Sequence, residues 1–339
     1  MEQETVGREP RRIGFFLLPG FTMIALTAAI EPLRLAQHVS GRRLYDCHLI
    51  SADGGPVAAS NGIELAADLA LKDVTAHPML FVCGGINSHN YDDRRVLGWL
   101  RRLDARGGNL GALCTGSAVL ARAGLLDGYR CTVHWENLAG LIERYPDIEF
   151  TSELFEIDRD RLTCSGGTAA LDMMLNIIAL DYDDDLAARV AEQLLHERIR
   201  DRHDQQRMPL RIRLGGSHPK LRNAVAAMEQ NLEEPLAYAE LAAAVGLSTR
   251  HLERLFQRYF HMTPTRYYLE LRLNRARQLL RQTDLSVTAA ALACGFVSAS
   301  HFSKSYRDLF GNTPRAERRQ AAAIGPTASA GHKLESDTV

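Results

Sequence analysis

Apolar and polar positions near the C-terminus follow a pattern that occurs twice. Residues 236–264 and residues 285–314 each contain two segments with apolar residues at helical spacing, and both stretches end in an aromatic residue, two further residues and Thr-Pro. A glycine, Gly246 or Gly295, separates the two segments. Glycine accepts the left-handed backbone that a turn between two helices needs. The pattern therefore predicts two helix-turn-helix units in tandem.

The second predicted helix of each unit has one apolar face and one polar face. Ser248 and Ser298 are placed to cap these helices. The polar face of the first comprises Thr249, Arg250, Glu253, Arg254 and Gln257. The polar face of the second comprises Ala299, Ser300, Ser303, Lys304 and Arg307. A helical bundle with solvated charged faces would explain one such unit, but the duplication favours a nucleic-acid interface.

In the first half of the chain, short apolar runs alternate with segments of helical periodicity. Residues 13–18 and 78–85 have the composition of buried parallel strands, whereas residues 92–107 have the spacing of an amphipathic helix. This alternation predicts an α/β fold with a parallel, flavodoxin-like sheet, followed by the all-α domain with two helix-turn-helix units. In such sheets, ligands bind beyond the carboxyl ends of the strands.

Three of those predicted strand ends carry a cysteine close to a glycine, at Cys83, Cys114 and Cys164. Cys114 stands where a strand turns into a helix at residues 115–123. A thiol at the positive end of a helix dipole can have a depressed pKa, so Cys114 is the candidate for cysteine chemistry. A small buried residue without chemistry is an equally good interpretation.

Charge divides the chain of 339 residues into two parts. Residues 211–319 contain 17 Lys and Arg against 9 Asp and Glu, a net charge of +8, whereas the whole chain carries −1. The remainder is therefore −9, and this asymmetry is typical of a nucleic-acid module joined to an acidic domain. The six cysteines lack metal-ligand spacing, so neither a metal nor a cofactor is predicted. No apolar run approaches about 20 residues and the N-terminus is polar, which favours a cytoplasmic protein without membrane contact.

The chain is expected to divide into two domains and a connecting region. Family resemblances, given in the next paragraphs, imply the α/β domain over residues 11–182 and the second domain over 218–318. The charge pattern predicts a helix over 181–206, most of which falls in the connecting region at 183–217. The Gly-Gly and two prolines of residues 207–219 are typical of a linker. Residues 319–339 are expected to form a disordered tail.

Residues 218–318 resemble the AraC-type DNA-binding domain. The resemblance implies seven helices, with one long helix at residues 267–282 joining the two units, and recognition helices in successive major-groove segments of double-stranded DNA. It assigns Arg250, Glu253 and Arg254 to base edges. The second recognition helix is poor in long side chains, so we expect it to contribute mainly phosphate contacts and shape reading.

The first domain is similar to the PfpI-like branch of the class I glutamine amidotransferase superfamily. The motifs are FLLPGF, AIEPLRLA, VCGG, ALCTGSAVLARAGLLDG, TVHW and TCSGGTAALD. The resemblance makes Cys114 the elbow cysteine, Glu31 the carboxylate that approaches it and His134 the nearby histidine. Members that cleave amide bonds carry His directly after the cysteine, whereas this chain has Thr115. This departure removes the usual general base, so the three residues are vestigial candidates and no catalytic set is predicted.

Together the two resemblances indicate a bacterial transcriptional regulator. Regulators of this kind mostly activate catabolic operons for small nitrogen compounds such as glycine betaine, carnitine or arginine. A dimer and contact with RNA polymerase are implied in the same way. The expected effector pocket comprises Glu31, Gly84, Gly85, Cys114, Thr115, His134, Trp135, Gly167 and Thr168. In it, Glu31 and Trp135 would hold a cation, and backbone N–H groups near the glycines would hold a carboxylate.

Two other functions remain open from the sequence. A cysteine-dependent amidase, deglycase or peptidase would use Cys114 as nucleophile, with His134 as base. A thiol redox sensor would use the same cysteine. Against both, His134 is also typical of a pocket-wall histidine, and Glu31 can pair with Arg34 on the surface of its helix.

Overall fold

The computed structural model describes residues 9–74, 79–86, 88–204, 206 and 219–323. In the first domain the strands are β1 (Arg11–Leu17), β2 (Tyr45–Ser51), β3 (Val57–Ala58), β4 (Glu64–Leu65), β5 (Leu69–Ala70), β6 (Met79–Cys83), β7 (Asn109–Leu113), β8 (Arg130–Thr132), β9 (Glu149–Thr151), β10 (Phe155–Asp158) and β11 (Arg161–Cys164). The helices are α1 (Met23–Ser40), α2 (Arg94–Asp104), α3 (Gly116–Arg122), α4 (Trp135–Arg144), α5 (Ala169–Asp181) and α6 (Asp184–Gln193).

Seven of these strands form the central sheet, in the order β10-β11-β7-β6-β1-β2-β5. All neighbours are parallel except β10 and β11. The predicted α/β class with a parallel sheet is therefore confirmed. The carboxyl ends of β1, β6, β7 and β11 lie side by side, which is where the sequence places its candidate residues.

Helices cover both faces of the sheet because successive residues of β1 point to opposite sides. Phe15 packs with α1, α5 and α6, whereas Phe16 packs with α2 and α3. Phe15 also stacks on Phe81 of the neighbouring strand, with ring centroids 5.7 Å apart. A side chain at Gly111 would meet the Phe81 ring at 2.3 Å, so this glycine makes room for the aromatic layer.

The second domain contains seven helices within the described residues, as predicted. They are α7 (Pro219–Gln230), α8 (Tyr238–Ala244), α9 (Thr249–Phe260), α10 (Pro264–Gln282), α11 (Val287–Leu292), α12 (Ala299–Phe310) and α13 (Pro314–Ala323). Gly246 and Gly295 have φ of +62° and +72°, the left-handed turns expected between the helices of each unit. Each unit has its own apolar core, and α10 contributes to both.

The repeated Thr-Pro begins a helix in both copies. The hydroxyl oxygen of Thr263 accepts a hydrogen bond from the Arg266 N–H at 3.2 Å, and that of Thr313 accepts one from the Ala316 N–H at 3.1 Å. The proline that follows occupies the first helical position, where its missing N–H costs no intrahelical bond. The repeat in sequence is thus a repeated helix start, at α10 and at α13.

The predicted charged helix at residues 181–206 is wrong beyond Gln193. The chain turns at Leu195, which has a φ of +52°. The turn brings His196 Nε2 to 2.9 Å from Asp172 Oδ1 and Arg200 Nε to 2.9 Å from Asp172 Oδ2. Asp172 is fully buried, and a buried carboxylate needs such partners, so satisfying it takes precedence over extending the helix.

The C-terminal end of the fold also differs from the expectation. Helix α13 continues to Ala323, so the first residues of the predicted tail at 319–339 are helical; residues 324–339 lie outside the described part. Most of the predicted linker, residues 207–218, lies outside it too. None of the described helices combines the length and apolar character needed to cross a bilayer.

Candidate effector cavity and DNA-binding faces

Cys114 lies on a strained turn between β7 and α3. Its φ is +59°, a left-handed conformation for a residue with a side chain. The turn is packed closely from both sides: a side chain at Gly116 would meet the Val82 carbonyl oxygen at 2.0 Å, and one at Gly166 would meet Cys114 Cβ at 2.6 Å. The sharp turn presents the thiol at the carboxyl ends of the parallel strands.

The expectation of a depressed thiol pKa is wrong. Burial raises the pKa of Cys114, and hydrogen bonds from Thr22 and Thr115 offset this only in part. Cys114 is 8% exposed, so the desolvation of a thiolate there outweighs the dipole of α3, which has only seven residues. The thiol is therefore protonated at neutral pH and is a poor nucleophile.

His134 is not engaged with the thiol. Its Nδ1 accepts a hydrogen bond from the Glu136 N–H at 3.4 Å and so caps α4, and burial lowers the pKa of the imidazole. Cys114 Sγ instead lies 3.7 Å from Thr22 Oγ1. Thr115, which stands where amide-cleaving relatives have His, donates its hydroxyl to the Gly85 carbonyl at 2.6 Å. Cys114 and His134 therefore do not form a hydrogen-bonded pair of nucleophile and base within the described structure.

A cavity of about 540 Å³ opens beside Cys114. Five of the predicted pocket residues line it: Gly85, Cys114, Thr115, His134 and Gly167. Sequence reasoning missed Thr22, Ile24, Glu136 and Asn137, which line it as well. The position of Thr22 just after β1 was a usable signal, because it lies at the same edge of the sheet as Cys114.

Four predicted pocket residues do not line the cavity. Glu31 lies more than two turns along α1 and pairs with Arg34 at 2.6 Å, on an exposed surface. Trp135 is the first residue of α4 and is 36% exposed. Gly84 packs beneath the Cys114 turn, and the Thr168 hydroxyl accepts a hydrogen bond from Arg200. Glu31 and Trp135, which were expected to hold a ligand's cation, are therefore not among the residues that line this cavity.

Most of the backbone N–H groups expected to hold a carboxylate are already used. The Gly85 N–H donates to Ser88 Oγ at 2.8 Å, and the Cys114 N–H donates to the Cys164 carbonyl at 3.0 Å. Gly167, with a φ of +56°, lines the cavity, and its N–H has no partner among the described residues. Of the predicted backbone donors, Gly167 is thus the one that can still receive an anion.

The DNA-binding domain forms the opposite wall of this cavity. Arg281 and Gln282, at the end of α10, line it together with Glu317 and Gln320 of α13. Gln282 Nε2 donates to the Glu136 carbonyl at 2.9 Å, and His89 Nε2 lies 3.2 Å from the Arg281 carbonyl oxygen. The cavity is consequently a space between the two domains.

The recognition helix of the first unit, α9, exposes the predicted polar face. Leu252, Leu255 and Phe256 are buried against the unit's core. Arg250, Glu253, Arg254 and Gln257 are exposed on the other side and line a shallow surface groove. The helix starts at the predicted cap, where Ser248 Oγ accepts a hydrogen bond from the His251 N–H at 3.3 Å.

The recognition helix of the second unit, α12, has a smaller polar face. Phe302 and Tyr306 are buried, and Ser298 caps the helix by accepting from the His301 N–H at 3.3 Å. The exposed side chains are Ala299, Ser300, Lys304 and Arg307, with Ser303 half-buried. All the predicted DNA-contact residues therefore share one side of their helix, away from the core.

Comparison with known proteins agrees with this two-part architecture. Residues 11–180 match the DJ-1/PfpI family, and residues 241–320 match a helix-turn-helix domain family. The chain is 50% identical over 312 residues to the HTH-type transcriptional regulator GbdR of Pseudomonas aeruginosa, covering 92% of this chain and 85% of GbdR. This chain belongs to the HTH-type transcriptional regulators of the GbdR and GlxA kind. It is thus a transcriptional regulator with an AraC-type DNA-binding domain.

Two further matches support the assignment. The HTH-type transcriptional regulator GlxA of Rhizobium meliloti is 37% identical over 325 residues, covering 95% of this regulator and all of GlxA. A crystal structure of an AraC family transcriptional regulator from Pseudomonas putida matches with a TM-score of 0.51 and 35% identity. The match covers 55% of this regulator and all of that chain.

Proposed function

We propose that this regulator binds a specific DNA sequence under the control of a small amino or quaternary-ammonium metabolite held in the cavity beside Cys114. The supporting observation is the cavity itself. It lies at the carboxyl ends of the parallel strands, where ligands bind in this class of fold, and its one thiol is buried with a raised pKa and lacks a base. A site of this kind binds without reacting.

Glu136 takes the role in cation binding that was expected of Glu31. Its carboxylate lies on the cavity wall, follows the His134 cap by two residues and acts on the pKa of Cys114 through its charge. The N–H of Gly167, for which the described residues supply no acceptor, is the matching donor for a carboxylate. A zwitterion fits such a pair of opposite charges better than a neutral molecule does.

For DNA, the proposal places α9 and α12 in successive major-groove segments. The exposed faces of both helices and the net charge of +8 over residues 211–319 support this placement. Activation, dimer formation and contact with RNA polymerase stay predictions of the family resemblance.

Isothermal titration of the full chain with glycine betaine, carnitine and arginine tests the proposal. At least one should bind, and Glu136→Gln should weaken that binding by about tenfold, which is about 1.4 kcal/mol. Glu31→Gln is the matched control, because it removes a carboxylate whose surface pairing with Arg34 contributes little. Binding of none of the three compounds, or a loss confined to Glu31→Gln, would contradict the proposal.

The redox-sensor alternative has a separate test. Because the Cys114 thiol is buried and protonated, dilute peroxide should leave the affinity for DNA unchanged. A change in DNA affinity that Cys114→Ser abolishes would favour the redox sensor instead.

A further inference from the structure

The cavity beside Cys114 is walled by both domains. The sensor domain supplies Cys114, His134 and Glu136, and the DNA-binding domain supplies Arg281 and Gln282. An occupant of this space would touch the end of α10, the helix whose residues pack in the cores of both helix-turn-helix units. The same cavity that is proposed to bind the effector is therefore also a contact between domains.

Within the described residues, two hydrogen bonds and one ion pair cross this boundary, where α4 packs against α10. Besides the two hydrogen bonds to Arg281 and Gln282, Arg144 lies 3.9 Å from Asp284, whose side chain is 95% exposed. A side chain at Gly140 would meet Gln282 Oε1 at 2.8 Å, so α4 and α10 approach closely there. Boundaries of this polar kind hold domains weakly, and the domains move relative to each other unless something else fastens them.

Two buried acceptors at the boundary lack hydrogen-bond partners within the part of the chain that the structure describes. They are His89 Nδ1 and Gln282 Oε1, both on residues that line the cavity. Burial lowers the pKa of His89, so its ring is neutral; Nε2 donates to the Arg281 carbonyl and Nδ1 is left as an acceptor. Buried polar atoms normally have hydrogen-bond partners, so this boundary between the domains has two acceptors that a bound molecule could satisfy.

The wall on the DNA-binding side has an excess positive charge. Glu317 is 2% exposed and accepts hydrogen bonds from Arg277 Nε at 3.2 Å and from Arg281 Nε at 2.5 Å. One carboxylate between two guanidinium groups leaves one positive charge uncompensated. Arg281 lines the cavity, its side chain is 50% exposed, and its Nη1 has no partner among the described residues. Glu317 thus positions the Arg281 guanidinium group through Nε and Nη2, which leaves the Nη1 donors of Arg281 available to an anion in the cavity.

We propose that the effector site is shared between the domains, with Arg281 joining the Gly167 N–H in binding the metabolite's carboxylate while Glu136 binds its cationic end. This inference rests on the proposed function and adds its specificity residue and its route of regulation. A bound ligand that contacts both Glu136 and Arg281 links the end of α10 to the sensor domain. Because α10 connects both units, the occupant changes how the two recognition helices are placed together on DNA.

Titration with pairs of compounds that differ only in the carboxylate tests the assignment. The probes are arginine with agmatine, and glycine betaine with tetramethylammonium, applied to the full chain by isothermal titration. The wild-type chain should bind the carboxylate member of a pair at least about tenfold more tightly. Arg281→Gln should abolish this preference, because it removes the charge that the carboxylate meets while keeping a polar side chain.

Arg277→Gln is the matched control, since Arg277 also pairs with Glu317 but does not line the cavity. It should keep the carboxylate preference, and thermal unfolding of both variants shows whether either loses its fold. Equal loss of preference in both variants, or retention in Arg281→Gln, would overturn the shared site and leave the proposed function standing. If no probe binds the wild-type chain, the proposed function and this inference both fail.

Discussion

The two helix-turn-helix units have the same succession of elements but different surfaces. The recognition helix of the first exposes Arg250, Glu253, Arg254 and Gln257, whereas that of the second begins with Ala299 and Ser300. Long side chains with several donors can reach and distinguish base edges, while alanine and serine offer little direct reading. We therefore expect the first unit to read the base sequence and the second mainly to contact the DNA backbone.

The second unit has a contact that the first lacks among the described hydrogen bonds and ion pairs. The bonds and the ion pair to the sensor domain come from Arg281, Gln282 and Asp284, at the junction of α10 and α11. We therefore expect the two copies to divide two tasks. The first would recognise bases, whereas the second carries the hydrogen bonds and the ion pair to the sensor domain.

The turn glycines give the largest expected difference between the units. Both have positive φ, but a side chain at Gly295 would also meet the Glu233 carbonyl and Pro235 at 2.7 Å, whereas one at Gly246 would meet only the end of Lys220 at 3.4 Å. Gly246→Ala should lower the free energy of unfolding by about 1–2 kcal/mol from backbone strain alone. Gly295→Ala should lower it by about 2–5 kcal/mol, because overpacking adds to the strain.

Urea unfolding followed by circular dichroism measures both variants. Equal losses would mean that the close approach at Gly295 relaxes without cost. The second unit would then be no more tightly packed at its turn than the first.

Substitutions on the recognition helices are expected to have smaller and qualitatively different effects. Arg254→Ala should cost about 1–3 kcal/mol of DNA affinity and relax specificity at one base pair. Lys304→Ala should weaken all sequences alike and reduce the salt slope by about one, as expected for a phosphate contact. Fluorescence anisotropy over a salt series measures both. If Lys304→Ala changed which sequence is preferred, the division of tasks between the units would be wrong.

Acid should affect the second unit before the first. Burial by itself would raise the pKa of Glu317, but hydrogen bonds from Asn312 and Arg281 and the charges of Arg281 and Arg277 bring it below its usual 4.5. A carboxyl group with a depressed folded pKa stabilises the fold above its unfolded pKa. This contribution is lost as the pH falls through the folded value. The protection factors of the amides of α11–α13, which correct for the intrinsic pH dependence of exchange, should therefore fall as the pH drops below about 4.5.

The first unit supplies the comparison for this acid effect. In this unit the Tyr268 hydroxyl donates a hydrogen bond to the Asn231 carbonyl. Burial raises the pKa of Tyr268, so this hydrogen bond involves only neutral groups in acid. Glu317→Gln should remove the difference in acid sensitivity between the units. Protection factors that fall equally in both units of the wild-type chain would contradict the assigned role of Glu317.

The sequence predicted the features that depend on local pattern. Periodicity located the helices, and the glycines and serines at Gly246, Gly295, Ser248 and Ser298 located their turns and caps, because these are determined by neighbouring residues. The strand ends likewise located the cavity through Cys114. These signals act within a few residues, which is why they can be read without a structure.

Features that depend on long-range packing were missed. Glu31 was expected at the cavity, but its place on α1 directs it to Arg34, and Glu136 lines the cavity instead. The thiol pKa depends on how deeply Cys114 is buried, which its sequence neighbours do not reveal. Likewise, nothing in the pattern brings Arg281 of the DNA-binding domain to a cavity formed some 150 residues earlier in the chain.

In vitro selection from a pool of random duplexes, with the full chain at low salt, tests the central claim most directly. We predict enrichment of two conserved sequence blocks about 10 base pairs apart. One block should show strong base preferences and the other weak ones. Arg254→Ala should weaken the base preferences of the strong block alone. No enrichment, or two blocks with equally strong base preferences that Arg254→Ala leaves unchanged, would contradict the central claim. That claim is that the first unit recognises bases and the second connects the DNA-binding domain to the sensor domain.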